Sequence, residues 1–233
     1  EVHFIEGEKG KQINYEQLKE ELTKNNYDIV TMVQNETQTG ALYNPQKVRE
    51  VINEVSSDIL LFVDGISAFG GTEIKFDEWG IDVYVTGSQK CLNAPQGCPL
   101  VCYSQKAINR MNKIKANKKF YFSMALDNNP EYLFARGLND LFDSLLKEGL
   151  DKIYKQHYIA SKAVREAIKV LGLNYMADEE VVSPSTTRIV FPEELQKAID
   201  EDREKLGIDG DRVTTMMKDK YGVCIAEDRI GTM

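Results

Sequence analysis

Apolar residues recur at helical spacing from Tyr15 to Lys24, and Tyr27-Asp28-Ile29-Val30-Thr31-Met32-Val33 then reads as a buried strand that ends at Gln34-Asn35-Glu36-Thr37. Pro45 to Val55 has the spacing of an amphipathic helix. It is followed by Ile59-Leu60-Leu61-Phe62-Val63, a continuous apolar run of the kind that parallel sheets bury on both faces, which Asp64-Gly65 stops. Shorter strands are predicted at Asp82-Val83-Tyr84-Val85-Thr86 and Leu100-Val101-Cys102-Tyr103. Upstream, Val2-His3-Phe4-Ile5 is strand-like, opens the chain abruptly and precedes a turn at Gly7 to Gly10, so the chain reads as one missing its beginning.

Glu131 to Leu171 is helical throughout, with a break expected at Gly149 and an apolar stripe from Ile153 to Val170. Beyond Gly172 the pattern changes to a strand at Thr187-Arg188-Ile189-Val190-Phe191, a helix from Asp209 to Lys220 and a strand at Val223-Cys224-Ile225-Ala226. Strand, helix, strand is the rhythm of an α/β sheet. The expected organisation is a mostly parallel large-domain sheet flanked by helices over 1–148 and a smaller C-terminal α+β domain over 149–233.

Composition narrows the function classes. In 233 residues, 37 acidic against 29 basic side chains give a net charge of -8, which argues against a nucleic-acid surface because phosphate binding rests on cationic patches. The basic stretch from Lys106 to Lys119 is spaced like the solvated face of a helix and its connector. No apolar run approaches the roughly 20 residues of a membrane helix. The first residues lack the features of a secretory signal, which points to the cytoplasm. Cys91, Cys98, Cys102 and Cys224 lack zinc spacing and are expected to be reduced thiols, with no metal site. His3 and His157 are the only histidines, so a histidine-based triad is not expected.

Three strand ends deliver polar residues: Thr37 after the first, Asp64 after the second and Lys90 after the third. In open α/β sheets ligands bind outside the carboxyl ends of the strands, so a hydroxyl, a carboxylate and an amine are expected around one crevice. Lys90 lies inside Thr86-Gly87-Ser88-Gln89-Lys90, 26 positions after the Asp that ends the wholly apolar strand.

Four blocks resemble the class V aminotransferases of fold type I, specifically the alanine/serine:glyoxylate or pyruvate group. They are Glu36-Thr37-Gln38-Thr39-Gly40, Val63 to Gly71, Asp77 to Asp82, and Gly87-Ser88-Gln89-Lys90-Cys91-Leu92-Asn93-Ala94-Pro95-Gln96-Gly97. Weaker similarity continues through Lys147-Glu148-Gly149-Leu150 to Asp228-Arg229-Ile230-Gly231-Thr232-Met233. The resemblance implies pyridoxal 5'-phosphate held covalently by Lys90, with Asp64 on the pyridine nitrogen and Gln89, Ser88 and Thr37 as further cofactor contacts. It implies Arg229 as the clamp for a substrate carboxylate. The implied reaction moves an amino group from a small amino acid such as alanine, serine or aspartate to glyoxylate or pyruvate, in a homodimer.

Two alternatives accompany this reading: a lyase or cysteine desulfurase of the same fold, or a catalytically inactive homologue acting as an assembly partner. Desulfurases usually carry a His where this chain has Gln89, which favours transamination. The family's phosphate loop and ring-stacking aromatic lie upstream of Glu1. Its longer loop near Asn129-Pro130 and its glycine-rich connection near Glu227-Asp228 have no counterpart in the chain.

Overall fold

A computed structural model describes residues 2–113, 132–194, 196–197 and 201, together with the backbone of 229–231; the side chains of 132–135 are not among those described. Helix α1 (Tyr15–Lys24) starts where the Asn14 side chain accepts a hydrogen bond from Gln17 N at 3.0 Å. Strand β1 (Ile29–Val33) follows, then a short hairpin of β2 (Asn35–Glu36) and β3 (Ala41–Leu42). Helix α2 (Pro45–Val55) combines an Asn44 cap at 2.8 Å from Gln46 N with proline at the first helical position, where a missing N–H costs nothing.

The main sheet adds β4 (Leu60–Asp64), β5 (Val83–Gly87) and β6 (Pro99–Tyr103) in the order β1-β4-β5-β6. The first three strands run parallel, and β6 pairs antiparallel with β5. Leu18 and Leu22 of α1 and Val48 and Ile52 of α2 pack with Ile59, Leu61, Val63, Ile81 and Tyr84 in one core. Each such aliphatic side chain contributes about 1.5–3 kcal/mol by leaving water. This core fixes both helices to the strands and so fixes where the carboxyl ends of β4 and β5 emerge.

Helices α3 (Gln105–Lys113), α4 (Tyr132–Glu148) and α5 (Leu150–Val170) follow. The predicted break is at Gly149, whose φ of 94° lies in the region glycine adopts without steric cost. Strands β7 (Asn174–Tyr175), β8 (Thr186–Val190) and β9 (Arg229–Gly231) form an antiparallel three-stranded sheet, with α5 against β7 and β8. The predicted helix from Asp209 to Lys220 and strand from Val223 to Ala226 lie outside the described residues.

Three expectations need correction. Val2 to Ile5 is not a strand: the segment pairs with no described strand, and Phe4 is 86% exposed. Strand β1 is not buried either. It closes one edge of the sheet among the described residues, so Ile29 and Val33 remain 42% and 43% exposed despite their apolar side chains. Lastly, the basic stretch is not simply a solvated face, because Lys106 turns inward to the carbonyls of Ser57 and Ile59, the latter at 2.8 Å. No described helix is long and apolar enough to cross a membrane.

Candidate active site

Asp64 is the last residue of β4, and its backbone is fixed from both sides. Gln34 N donates to the Asp64 carbonyl at 2.8 Å, and Gly65 N donates to the Val85 carbonyl at 2.8 Å. The carboxylate itself is exposed. Its Oδ1 accepts from Ile66 N at 2.9 Å within a local turn, and its Oδ2 accepts from no described residue. A carboxylate at a strand end with one oxygen uncommitted suits an external N–H donor.

Strand β5 ends at Gly87, beside the carboxyl end of β4, and the loop that follows carries Lys90. Ser88 fastens this loop: its N–H donates to the Cys98 carbonyl at 3.1 Å and its hydroxyl to the Pro95 carbonyl at 2.6 Å, while its own carbonyl accepts from Ala94 N at 3.0 Å. Ser88 is therefore buried with its hydroxyl spent on the loop, whereas Gln89 and Lys90 are exposed. Gln89 folds back over Gly87, its Oε1 2.6 Å from where a Cβ on residue 87 would stand. The Lys90 ammonium makes no hydrogen bond or ion pair with any described residue, although its carbonyl accepts from Asn93 N at 2.8 Å.

Thr37 lies not at the end of β1 but in the β2–β3 turn, half-buried. Gln34 occupies the position directly after β1. Arg229 is placed by backbone pairing with Arg188 across β8 and β9. The structure thus brings Asp64 and the Lys90 loop to neighbouring parallel strands and sets Thr37 on the adjoining hairpin.

The family model for aminotransferase class-V matches residues 1–191. The chain belongs to the class V aminotransferases. Among its relatives is a serine–glyoxylate aminotransferase of Arabidopsis thaliana, 33% identical over 205 residues that cover 82% of this chain and 51% of the relative. An (S)-ureidoglycine–glyoxylate transaminase of Bacillus subtilis is 28% identical over 274 residues covering 100% of this chain and 62% of the relative. That alignment exceeds the chain's 233 residues, as expected where the relative has segments between matched blocks that this chain lacks. The crystal structure of an alanine–glyoxylate aminotransferase from Nostoc sp. superposes with a TM-score of 0.79 at 23% identity, over 96% of this chain and 61% of that one, and shows the same fold. The chain spans about half to three-fifths of the length of these relatives. The expected family and the fold-type I α/β architecture are both borne out.

The class V fold here also holds residues that periodicity overlooked. Asn35, 2% exposed, donates from Nδ2 to the Ser67 carbonyl at 2.7 Å and to Ser185 Oγ at 2.8 Å, and the Ser185 hydroxyl donates to the same carbonyl at 3.0 Å. The turn after β4 is thereby tied to the hairpin after β1 and to the residue preceding β8. Cys91, next to Lys90, packs beneath Gly71, and burial pushes its thiol pKa up while the Ser185 hydroxyl opposes that shift. Tyr84 and Gln34 form a buried hydrogen bond of 2.9 Å. The available signal was a polar residue inside, or just past, an apolar run. Cys91, Cys98 and Cys102 are free thiols, and no cluster of His, Cys, Asp and Glu suited to a metal occurs among the described residues.

Proposed function

We propose that the chain forms the catalytic body of an aminotransferase dependent on pyridoxal 5'-phosphate, moving an amino group from alanine, serine or aspartate to glyoxylate or pyruvate. One observation carries the reading. Among the described residues, a carboxylate with an uncommitted oxygen and an amine without a partner stand at the carboxyl ends of adjacent parallel strands, at Asp64 and Lys90. This donor set fits the cofactor: an acceptor for its pyridine N–H and a primary amine for its aldehyde. When bound, the group supplies a sink for the electrons left as a substrate loses its α-proton.

In this proposal Asp64 holds the proton on the pyridine nitrogen, and Lys90 anchors the cofactor and then serves as general base for the α-proton. Gln89 and Thr37 are cofactor contacts, and Ser88 sets the loop that presents Lys90. Arg229 receives the substrate carboxylate. The division into a cofactor-binding part over 1–148 and a smaller part over 149–233 follows the Gly149 break, and a cytoplasmic homodimer completes the proposal. The names of the relatives, which join serine and (S)-ureidoglycine to glyoxylate, support the acceptor, and Gln89 ahead of Lys90 favours transamination over desulfuration.

Protein mixed with pyridoxal 5'-phosphate is expected to gain visible absorbance that survives gel filtration and disappears in Lys90→Ala without a fall in melting temperature. Stoichiometric release of a 2-oxo acid from alanine, serine or aspartate would then fix the reaction. Absorbance that persists in Lys90→Ala sinks the assignment, and sulfide release from cysteine without transamination replaces it with the desulfurase alternative.

A further inference from the structure

The Tyr84 side chain leaves β5, crosses the carboxyl end of β4 and reaches Gln34 just past β1. Its phenol donates to Gln34 Oε1 at 2.9 Å. It spans the strand that lies between its two anchors in the sheet. The crossing point is Gly65, the residue after Asp64: a Cβ there would stand 1.9 Å from both the ring Cζ and the phenol oxygen, so only glycine admits the ring. Both ends of the bridge are buried, Tyr84 at 4% and Gln34 at 2% exposure. Gln34 is also the residue whose N–H holds the Asp64 carbonyl, and its own carbonyl accepts from Tyr43 N at 2.7 Å.

We propose that Tyr84 and Gln34 form a strap across Gly65 that positions Asp64, making both of them positioning residues for the carboxylate on the cofactor's pyridine nitrogen; this rests on the reading of Asp64 given above. The geometry explains why an exposed aspartate at a strand end can serve as a fixed acceptor. Its side chain is held by one local hydrogen bond, so its direction depends on the backbone at 64 and 65. That backbone is confined by the ladder bonds on either side and by the ring lying across it. Tyr84 touches neither cofactor nor substrate in this scheme and acts only through Asp64 and Gly65.

Two single variants break the strap from opposite ends, so a folding failure of one leaves the other. Tyr84→Phe keeps the ring and removes the donor; Gln34→Met keeps the shape and removes the acceptor. With intact protein and pyridoxal 5'-phosphate, each is expected to weaken cofactor binding roughly tenfold, the scale of one lost buried hydrogen bond. Each is also expected to move the pH midpoint of the bound cofactor's visible absorbance by about half a unit or more. Without cofactor, amide exchange at Gly65 and Ile66 should accelerate in both. The double variant Tyr84→Phe/Gln34→Met leaves no buried acceptor orphaned, so its melting temperature should recover toward that of the parent while the spectroscopic shift remains. A purely structural strap would lose both effects together.

Asp64→Asn separates the two levels of the claim. If it changes cofactor affinity and the pH midpoint while the strap variants change neither, the strap is wrong and the site stands. If it changes neither, the reading of Asp64 falls and takes the strap with it.

Discussion

The two ends of β4 and β5 employ the same residue types in opposite ways. At the amino end, Asp82 and Lys106 are committed to the fold. Asp82 accepts from the Arg49 guanidinium, from Leu61 N at 2.9 Å and from Ser104 Oγ at 2.8 Å, and Lys106 lies 3.7 Å from the same carboxylate. Arg49 also donates to the Gly80 carbonyl at 2.8 Å and the Ile59 carbonyl at 3.0 Å. At the carboxyl end, Asp64 has one local donor and Lys90 has no described partner. An ionised group that the fold satisfies completely has nothing left for a ligand. A group left with spare hydrogen-bonding capacity is the better site candidate, and the contrast favours the carboxyl end, in keeping with the proposed function.

The sharpest way to break this contrast is to remove one partner at each end. Arg49→Met removes the nearer of the two cations at the buried Asp82 carboxylate and leaves Lys106 at 3.7 Å, so the loss is expected near the lower end of the ~3–5 kcal/mol that breaking a buried ion pair costs. Desolvation lowers the Arg49 pKa, and the charge and hydrogen bond of Asp82 oppose that shift. Urea unfolding should show a loss of that size; a loss below about 1 kcal/mol would mean that water reaches the pair and that the two ends are alike. Next in size is Gly65→Ala. The added methyl collides with the Tyr84 ring, and overpacking of this kind costs about 1–3 kcal/mol. The same assay measures it, and an unchanged midpoint would refute the close approach of ring and backbone.

Much of this contrast was readable from the chain, though unevenly. Asp64 and Lys90 stood out because each ends or follows an apolar strand, and the strand period fixes which residue comes last. The helices at Tyr15–Lys24 and Pro45–Val55 were equally plain, since their stripes and Asn caps are local signals. What was not legible depends on neighbours distant in sequence. Lys106 reads as one more surface cation until the fold places it beside Asp82, 24 residues earlier. Tyr84 reads as an ordinary strand aromatic until Gly65 and Gln34 are brought under it. The exposure of β1 and of Val2 to Ile5 could not be read from local pattern, because burial is set by which strand lies alongside and not by the residues themselves.

A smaller effect distinguishes the ends by pH. Burial is the chief cause that raises the Tyr84 phenol pKa, with the Asp64 carboxylate adding to it. Above about pH 10, where an unfolded tyrosine ionises, the folded state therefore binds one more proton than the unfolded state, and stability falls as pH rises. Lys106 has the opposite sign: burial lowers its pKa, so its contribution increases as pH approaches 10.5, the ordinary lysine value, and levels off above it. Comparing parent and Tyr84→Phe isolates the phenol. The drop in urea midpoint between pH 8 and pH 10.5 should be shallower in the variant, and equal drops would place the phenol in water.

The smallest effect is also the one that tests the contrast most directly. Asp64→Ala removes a carboxylate of the same chemistry as Asp82, from the next strand of the same sheet, but it takes away only the bond to Ile66 N and leaves no charge or polar group stranded. Surface changes of this kind alter stability by no more than about 0.5 kcal/mol. Without cofactor, the variant should unfold at the parent's urea midpoint within that margin, and relief of an uncompensated carboxylate could even raise it slightly. A loss approaching that of Arg49→Met would mean that Asp64 is a structural residue, and the division of labour between the two strand ends would fail at the residue on which the proposed chemistry depends.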